Sequence, residues 1–159
     1  GINLEGMVVP ARWFQFQFGA TFQKSRYKEP EQWSNDAVAQ RKMFRTPSTY
    51  GYLTTTYSPV KPMNISLSGT YTGSMLVQHF AGYITKDVEV QTPEFYDVNL
   101  KLSYDIAING QAKLQVNGGV QNMFNSYQDD FDMGVSRDSG YVYGPAQPRT
   151  AFVGLKFTL

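Results

Sequence analysis

The chain has 159 residues, a net charge of +1 and no cysteine, and 15% of its residues are aromatic, with 11 Tyr and 11 Phe. The near-zero net charge gives no electrostatic reason to expect nucleic-acid binding. The lack of cysteine excludes disulfide scaffolds and thiolate metal sites. Mean hydropathy is −0.37, and no run approaches the ~18 consecutive apolar residues of a membrane-spanning helix.

Seven segments alternate apolar and polar residues one by one, which predicts seven β-strands because successive side chains of a strand point to opposite faces. In chain order the segments cover residues 2–8, 13–23, 49–57, 64–71, 96–105, 113–121 and 150–159. The second segment has one strongly apolar face, made of Phe14, Phe16, Phe18, Ala20 and Phe22. Only the third is ambiguous, because its large residues divide between the two faces: Tyr50 and Tyr52 on one, Leu53 and Tyr57 on the other.

The connections between these segments alternate strictly in length. Three are short and polar: Pro10–Arg12, Ser58–Pro62 and Ala107–Gln111. Three are long: Ser25–Thr46, Val77–Glu94 and Phe124–Arg149. Bacterial outer-membrane barrels have short periplasmic turns, long outer loops and aromatic residues at the strand ends. The pattern therefore predicts an all-β fold, an antiparallel transmembrane β-barrel segment of about seven strands.

Strand number and direction lead to two further expectations. If the short turns are periplasmic, the last strand runs inward and the C-terminus lies in the periplasm. A bacterial barrel has an even number of strands, and an open edge in lipid leaves backbone groups unpaired. We therefore expect residues 1–159 to be the C-terminal part of a larger barrel. The alternative is a small self-contained barrel or β-sandwich acting as an adhesin or binding module, since a soluble sheet with one wet face alternates in the same way.

Two stretches near the end of the chain resemble a known family. The first is Asn122-Met123-Phe124-Asn125 followed by Tyr127, and the second is Pro148-Arg149-Thr150 leading into the last strand. They resemble the N-L-F-D/N-x-x-Y and P-R-x-x-x-x-G-x-x-Y/F motifs of TonB-dependent outer-membrane receptors. Members of this family usually end on an aromatic residue, which is read by the barrel assembly machinery. Here Phe157 stands two residues before the terminal Leu159.

The resemblance implies a 22-stranded barrel with an N-terminal plug domain, and active uptake of a scarce nutrient driven by the TonB complex. Siderophore-iron, haem, cobalamin and glycan importers all fit, and the loops resemble those of Bacteroidetes-like receptors. The plug, the TonB-contacting segment and the earlier strands would lie upstream of this chain. The implied partners are outer-membrane lipid, the rest of the barrel with its plug, the TonB complex and the barrel assembly machinery. Neither an enzymatic activity nor a cofactor is predicted.

Aromatic residues of the third long connection are the candidate ligand contacts: Tyr127, Phe131, Tyr141 and Tyr143. Exposed rings in a loop can stack on sugars or apolar chelates, whereas the alternative is that these rings pack the loop over the barrel mouth. The single histidine, His79, is expected to be a solvated loop residue. Ligand contact or haem ligation by its ring is the alternative.

Four acidic residues crowd the same connection: Asp129, Asp130, Asp132 and Asp138. We expect a solvated acidic loop. The alternative is a Ca²⁺ site, because this ion takes several carboxylate oxygens.

Overall fold

The computed structural model describes residues 1–110 and 112–159, and this part of the chain folds into eleven β-strands. Their bounds are β1 Ile2–Ala11, β2 Phe14–Phe22, β3 Arg26–Glu31, β4 Gln40–Lys42, β5 Thr49–Tyr57, β6 Met63–Thr72, β7 Leu76–His79, β8 Val88–Gln91, β9 Phe95–Asn109, β10 Ala112–Gln121 and β11 Thr150–Thr158. The described residues include no helix long and apolar enough to cross a membrane.

Seven of the strands form one antiparallel sheet in the order β1-β2-β5-β6-β9-β10-β11. These are the seven strands that the alternation predicts, so the all-β antiparallel prediction is confirmed. The sheet is open, because β1 and β11 lie at its two edges and do not pair with each other. The other four strands form two short hairpins, β3–β4 and β7–β8, inside the first and second long connections. The sequence pattern did not predict these hairpins, because strands of three to six residues are too short to show a clear alternation.

Strand pairing aligns the apolar residues of all seven strands on one face of the sheet. Phe18 lies opposite Gly6 of β1 and Leu53 of β5, and the match continues strand by strand to Val116 opposite Leu155. This register also resolves the ambiguous third segment. Leu53 and Tyr57 pair with Phe18 and Phe14 and so lie on the apolar face, whereas Tyr50 and Tyr52 pair with Thr21 and Gly19 on the polar face.

The main buried hydrophobic cluster lies outside this sheet. Its members are Met75, Val77 and Tyr141, with Val90 and Tyr143 packed against them, and all five belong to long connections or their hairpins. The apolar face of the sheet is exposed, with 85% of the surface of Val153 and 63% of that of Ile2 accessible. The strands of the sheet contact chiefly their neighbours within it. In the described part of the chain, therefore, no second layer covers the apolar face.

The connections keep the predicted alternation of short and long, but two predicted boundaries are wrong. The turn expected at Pro10–Arg12 is formed by Arg12 and Trp13, because β1 continues to Ala11. The turn expected at Ala107–Gln111 begins later, because β9 keeps pairing with β10 as far as Asn109. Gly110 then takes a positive φ of 56°, a conformation that glycine adopts without steric cost. Gln111 lies outside the described residues.

Two adjacent glycines of β10 test the packing of the sheet. A Cβ on Gly119 would clash with the carbonyl oxygen of Leu100 and lie 3.0 Å from the ring of Phe152, whereas one on Gly118 meets nothing closer than 3.1 Å. We expect Gly119→Ala to destabilise the full-length protein by about 1–3 kcal/mol, since overpacking forces the backbone to shift, and Gly118→Ala to cost clearly less. Thermal unfolding followed by circular dichroism measures both variants. Equal losses of stability would contradict the expected close contact at Gly119.

Candidate functional site

The three long connections, residues 23–48, 73–94 and 122–149, leave the same end of the sheet, and we call them together the loop cap. They share that end because each joins two antiparallel neighbours of the sheet on the side opposite the short turns. The buried core belongs to the loop cap, so this end of the molecule is an organised body.

His79 is buried in the loop cap, and the prediction of a solvated loop residue is wrong. It ends β7 with 7% of its surface exposed. Its Nε2 lies 3.0 and 2.9 Å from the two carboxylate oxygens of Asp132. Its ring stacks on that of Tyr141, with centroids 3.6 Å apart and planes at 9°. The carboxylate partner comes from another connection, so spacing along the sequence gave no indication of it.

Asp130 anchors the aromatic part of the third connection. Its two carboxylate oxygens accept hydrogen bonds from the hydroxyls of Tyr141, at 2.8 Å, and Tyr143, at 2.7 Å. Burial, together with the hydrogen bond to Asp130, raises the pKa of Tyr141 to about 12 and also raises the pKa of Tyr143. For Asp130, burial acts in the direction of a higher pKa, but the donated hydrogen bonds outweigh it and the pKa lies below its ordinary value. The fully buried Gln128 completes the network by accepting from the backbone N–H of Tyr143 and donating to the carbonyl of Tyr141.

Two more carboxylates of the connection bind donors of the chain itself. Asp132 accepts from the backbone N–H of Asp138 at 2.9 Å and from His79. Burial acts to raise the pKa of Asp132, but these bonds prevail and the pKa lies below its ordinary value. Asp138 accepts from the N–H groups of Phe80 and Gly140. Within residues 1–110 and 112–159, no group of three or more His, Asp or Glu side chains is arranged to hold a metal ion.

The predicted ligand contacts therefore fall into two groups. Tyr141 and Tyr143 pack inside the loop cap, in agreement with the packing alternative for these two rings, and His79 stacks on Tyr141 there. Tyr127 and Phe131 are half-buried, and a ligand contact by either ring stays a prediction.

The family-motif residues meet in space across the third connection. The Asn122 side chain, buried with a φ of 47°, donates to the carbonyls of Gln147 and Ser126 and accepts from the N–H of Ser126. Asn125, with a φ of 54°, accepts a hydrogen bond from the N–H of Arg149 at 2.9 Å. Left-handed backbone is tolerated by Asn better than by most residues. The two asparagines thus hold the start of the connection against its end.

The other motif residues lie at the surface. Phe124 is exposed, and the carbonyl of Pro148 accepts a hydrogen bond from the hydroxyl of Thr150 at the start of β11. Phe157 lies on the exposed apolar face, opposite Leu114, and Leu159 follows the end of β11.

A groove of about 630 Å³ lies on the polar face of the sheet, beneath the end of the third connection. Residues 145–148 form its roof, held by the bond from Asn122 to Gln147 and by a bond from the N–H of Gln128 to the carbonyl of Pro145. Its floor includes Ser68, Asp97, Asn99, Lys101, Gln121 and Phe152, and Leu100 also lines the groove. The sequence analysis did not single out this groove, because the roof is brought over β9 only by folding.

Comparison with models of protein families, with curated proteins and with solved structures found no match to this chain. Its function is therefore inferred from its own residues and their geometry.

The acidic network predicts that the loop cap loosens in acid. Asp130 and Asp132 have folded pKa values below the ordinary value of 3.8. Their bonds therefore stabilise the cap above that pH, and the stabilisation is lost as the pH falls through the folded values. Between about pH 5 and pH 2, we expect pepsin to cleave beside Phe131 and Tyr141 only at the acid end. Cleavage at the exposed Phe124 should occur throughout this range.

Neighbouring aspartates provide the control for this experiment. Asp130→Ala should allow cleavage at Tyr141 already near the upper end of the pH range, since both tyrosine hydroxyls lose their acceptor. The hydroxyls of Tyr141 and Tyr143 donate to Asp130 and not to Asp129, so Asp129→Ala should behave as the wild type. The acidic network would not be what holds the connection if the two variants were cleaved alike.

A second prediction concerns Asn122. Replacement by Gly keeps the left-handed backbone accessible and removes the side-chain hydrogen bonds, each of which contributes about 0.5–1.5 kcal/mol. Replacement by Ala removes the bonds and also strains the backbone by about 1–2 kcal/mol. Thermal unfolding of the full-length protein should therefore rank stability as wild type, then Asn122→Gly, then Asn122→Ala. Wild-type stability in both variants would exclude a clamping role for the motif.

Proposed function

We propose that this chain supplies the C-terminal strands and extracellular loops of a TonB-dependent outer-membrane receptor, which takes up a scarce nutrient by active transport. The main support is the apolar face of the sheet, which continues across seven strands and is exposed, while the buried core lies in the loop cap. Soluble proteins rarely leave a continuous apolar surface of this extent uncovered. Contact with lipid would account for such a face.

Strand lengths and aromatic positions agree with this proposal. The seven strands of the sheet have 9 to 15 residues, and a tilted strand needs about 9–11 residues to span a bilayer. On the apolar face, Tyr96 and Tyr104 lie eight residues apart on β9, which is about 26 Å along the strand. At the ~35–45° tilt of barrel strands this corresponds to about 20 Å across the membrane, somewhat less than the ~25 Å apolar band between the two aromatic girdles of outer-membrane barrels.

Aromatic pairs occur at both ends of the apolar face. Trp13 packs edge-on against Tyr57 at the short-turn end, with ring centroids 5.7 Å apart. Tyr71 packs on Tyr96 at the loop-cap end, with centroids 5.0 Å apart. Aromatic rings with a polar atom are favoured at membrane interfaces, so these pairs support one interface at each end.

The edges of the sheet bear on the size of the proposed barrel. Each backbone group left unpaired in lipid costs several kcal/mol, and β1 and β11 have free outer edges in the described sheet. We therefore place further strands of the same barrel on both edges, and we place the plug and the transported ligand on the polar face. The groove under residues 145–148 opens on that face. A β-sandwich, by contrast, would need a second sheet over the apolar face, and the two short hairpins do not provide one.

Cysteine labelling tests the proposed orientation, since this chain contributes no cysteine of its own. Val135 is fully exposed in the third long connection, and Lys61 is exposed in a short turn. In intact cells that express the full-length protein, a membrane-impermeant maleimide should label Val135→Cys. Lys61→Cys should be labelled only after the outer membrane is permeabilised. Labelling of Lys61→Cys in intact cells, or none at Val135→Cys, would contradict the proposal.

Neighbouring positions of β11 test the lipid contact. Leu155 lies on the apolar face and Lys156 on the polar face. In the purified receptor in lipid bilayers, a spin label at Leu155→Cys should be relaxed mainly by oxygen, which concentrates in lipid. A label at Lys156→Cys should be less accessible to oxygen. Equal accessibility to oxygen at the two positions would argue for a soluble sheet.

A further inference from the structure

Hydrogen bonds from side chains tie the first long connection to the second. The indole N–H of Trp33 donates to Glu89 at 2.8 Å, and the hydroxyl of Ser34 donates to Asp87 at 2.6 Å. The ring of Trp33 also packs edge-on against that of Phe80, with centroids 5.2 Å apart. These contacts bridge residues more than 45 positions apart in the chain, so they are tertiary contacts and are not formed within a single hairpin.

The second connection is tied in the same way to the third. His79 binds Asp132, the N–H of Phe80 donates to Asp138 at 3.0 Å, and Val77 packs with Tyr141 in the buried core. The side chains of His79 and Asp132 are 9% and 2% exposed. Separation of these two connections would therefore break these hydrogen bonds and expose the apolar contact of Val77 with Tyr141 to water, both of which cost free energy.

Arg45 contacts all three connections at once. It belongs to the first, its backbone N–H donates to the carbonyl of Leu76 in the second at 2.8 Å, and its guanidinium donates to the carbonyls of Val142, at 3.0 Å, and Gly140 in the third. Its φ is +55°. A bulky residue persists in this conformation only where its surroundings enforce it, and the bonds to the other two connections provide that enforcement.

We propose that the three connections of the loop cap form one rigid unit, which the hydrogen bonds of Arg45 hold together. The three connections then move together and not as independent loops. Opening of any one connection would break its bonds to both of the others. For a receptor, this means that a ligand does not enter by lifting a single one of these loops. It passes beside the loop cap or displaces all three loops together. The inference concerns the mechanics of the loops and holds for any transported substrate.

Hydrogen–deuterium exchange of the full-length protein, measured by mass spectrometry, tests whether Arg45 holds the three connections together. In Arg45→Ala we expect exchange about ten-fold faster, corresponding to the loss of a hydrogen bond or two, in peptides of all three connections. The peptides covering residues 75–79 and 134–143 are the informative ones, because they are distant from position 45 in the chain. Peptides of β9 and β10 should exchange as in the wild type, which shows that the sheet is intact.

Arg41→Ala is the matched control. Arg41 lies in the same connection, but its ion pair is with Glu29, at 3.7 Å within the β3–β4 hairpin, and both side chains are exposed. This variant should leave the exchange of the second and third connections unchanged. Arg45→Lys should resemble Arg45→Ala in the third connection, since an ammonium group lacks the fork that reaches two carbonyls.

A reciprocal variant keeps the proposal falsifiable if Arg45→Ala fails to fold. Asp132→Asn weakens the bond between the second and third connections. If the loop cap is one body, this change also speeds exchange in the first connection around residue 45. Faster exchange confined to the mutated connection, in either variant, would show that the connections open independently and would overturn the proposal.

Discussion

In-register pairing of seven strands puts the apolar side chains on the same side of the sheet, and the rest of the molecule depends on this alignment. Because side chains alternate with a period of two, a slip of one residue in any pair would turn that strand's apolar set to the polar face. The pairing of Phe18 with Leu53, and of Val116 with Leu155, avoids such a slip at widely separated points. The same alignment gathers the long connections at one end, because an antiparallel order of neighbours alternates the ends at which strands are joined. The position of the loop cap at one end of the sheet is therefore a consequence of the antiparallel strand order.

In most β-proteins the buried hydrophobic core lies against a sheet. Here the main buried hydrophobic cluster lies among the long connections. Two carboxylates of the third connection accept hydrogen bonds from donors of the chain. Asp130 accepts from two tyrosine hydroxyls, and Asp132 accepts from His79 and a backbone N–H. A polar group left buried without its partner costs about 1–3 kcal/mol, whereas a complete hydrogen bond contributes only about 0.5–1.5 kcal/mol. We therefore interpret these networks as determinants of one specific loop conformation more than as sources of stability.

The strands of the sheet could be predicted from the sequence, whereas the contacts of the loop cap could not, and the reason is physical. Alternation with a period of two is a local property, so β2 and β9 could be recognised from single segments. The face of β5 depended on which residues lie opposite, and only pairing with Phe18 and Phe14 decided it. His79 and Asp132 are 53 positions apart, and no local pattern connects them. The asparagines of the Asn122–Asn125 motif could be identified as notable from the sequence, but their role as a clamp on Gln147 and Arg149 required the fold.

The loop cap also changes where ligand contacts are to be sought. Aromatic residues in a long loop are reasonable candidates for stacking on a ligand, yet Tyr141 and Tyr143 direct their hydroxyls to Asp130 and their rings into the core. Their removal would disorder the loop whether or not a ligand is present, so a loss of uptake in such variants would not identify a binding residue. The half-exposed rings of Tyr50 and Tyr52 are different, because they stand on the mainly polar face of the sheet. Within the proposed receptor that face lines the passage, and its side chains are free to contact a ligand without first breaking the structure that holds the loops.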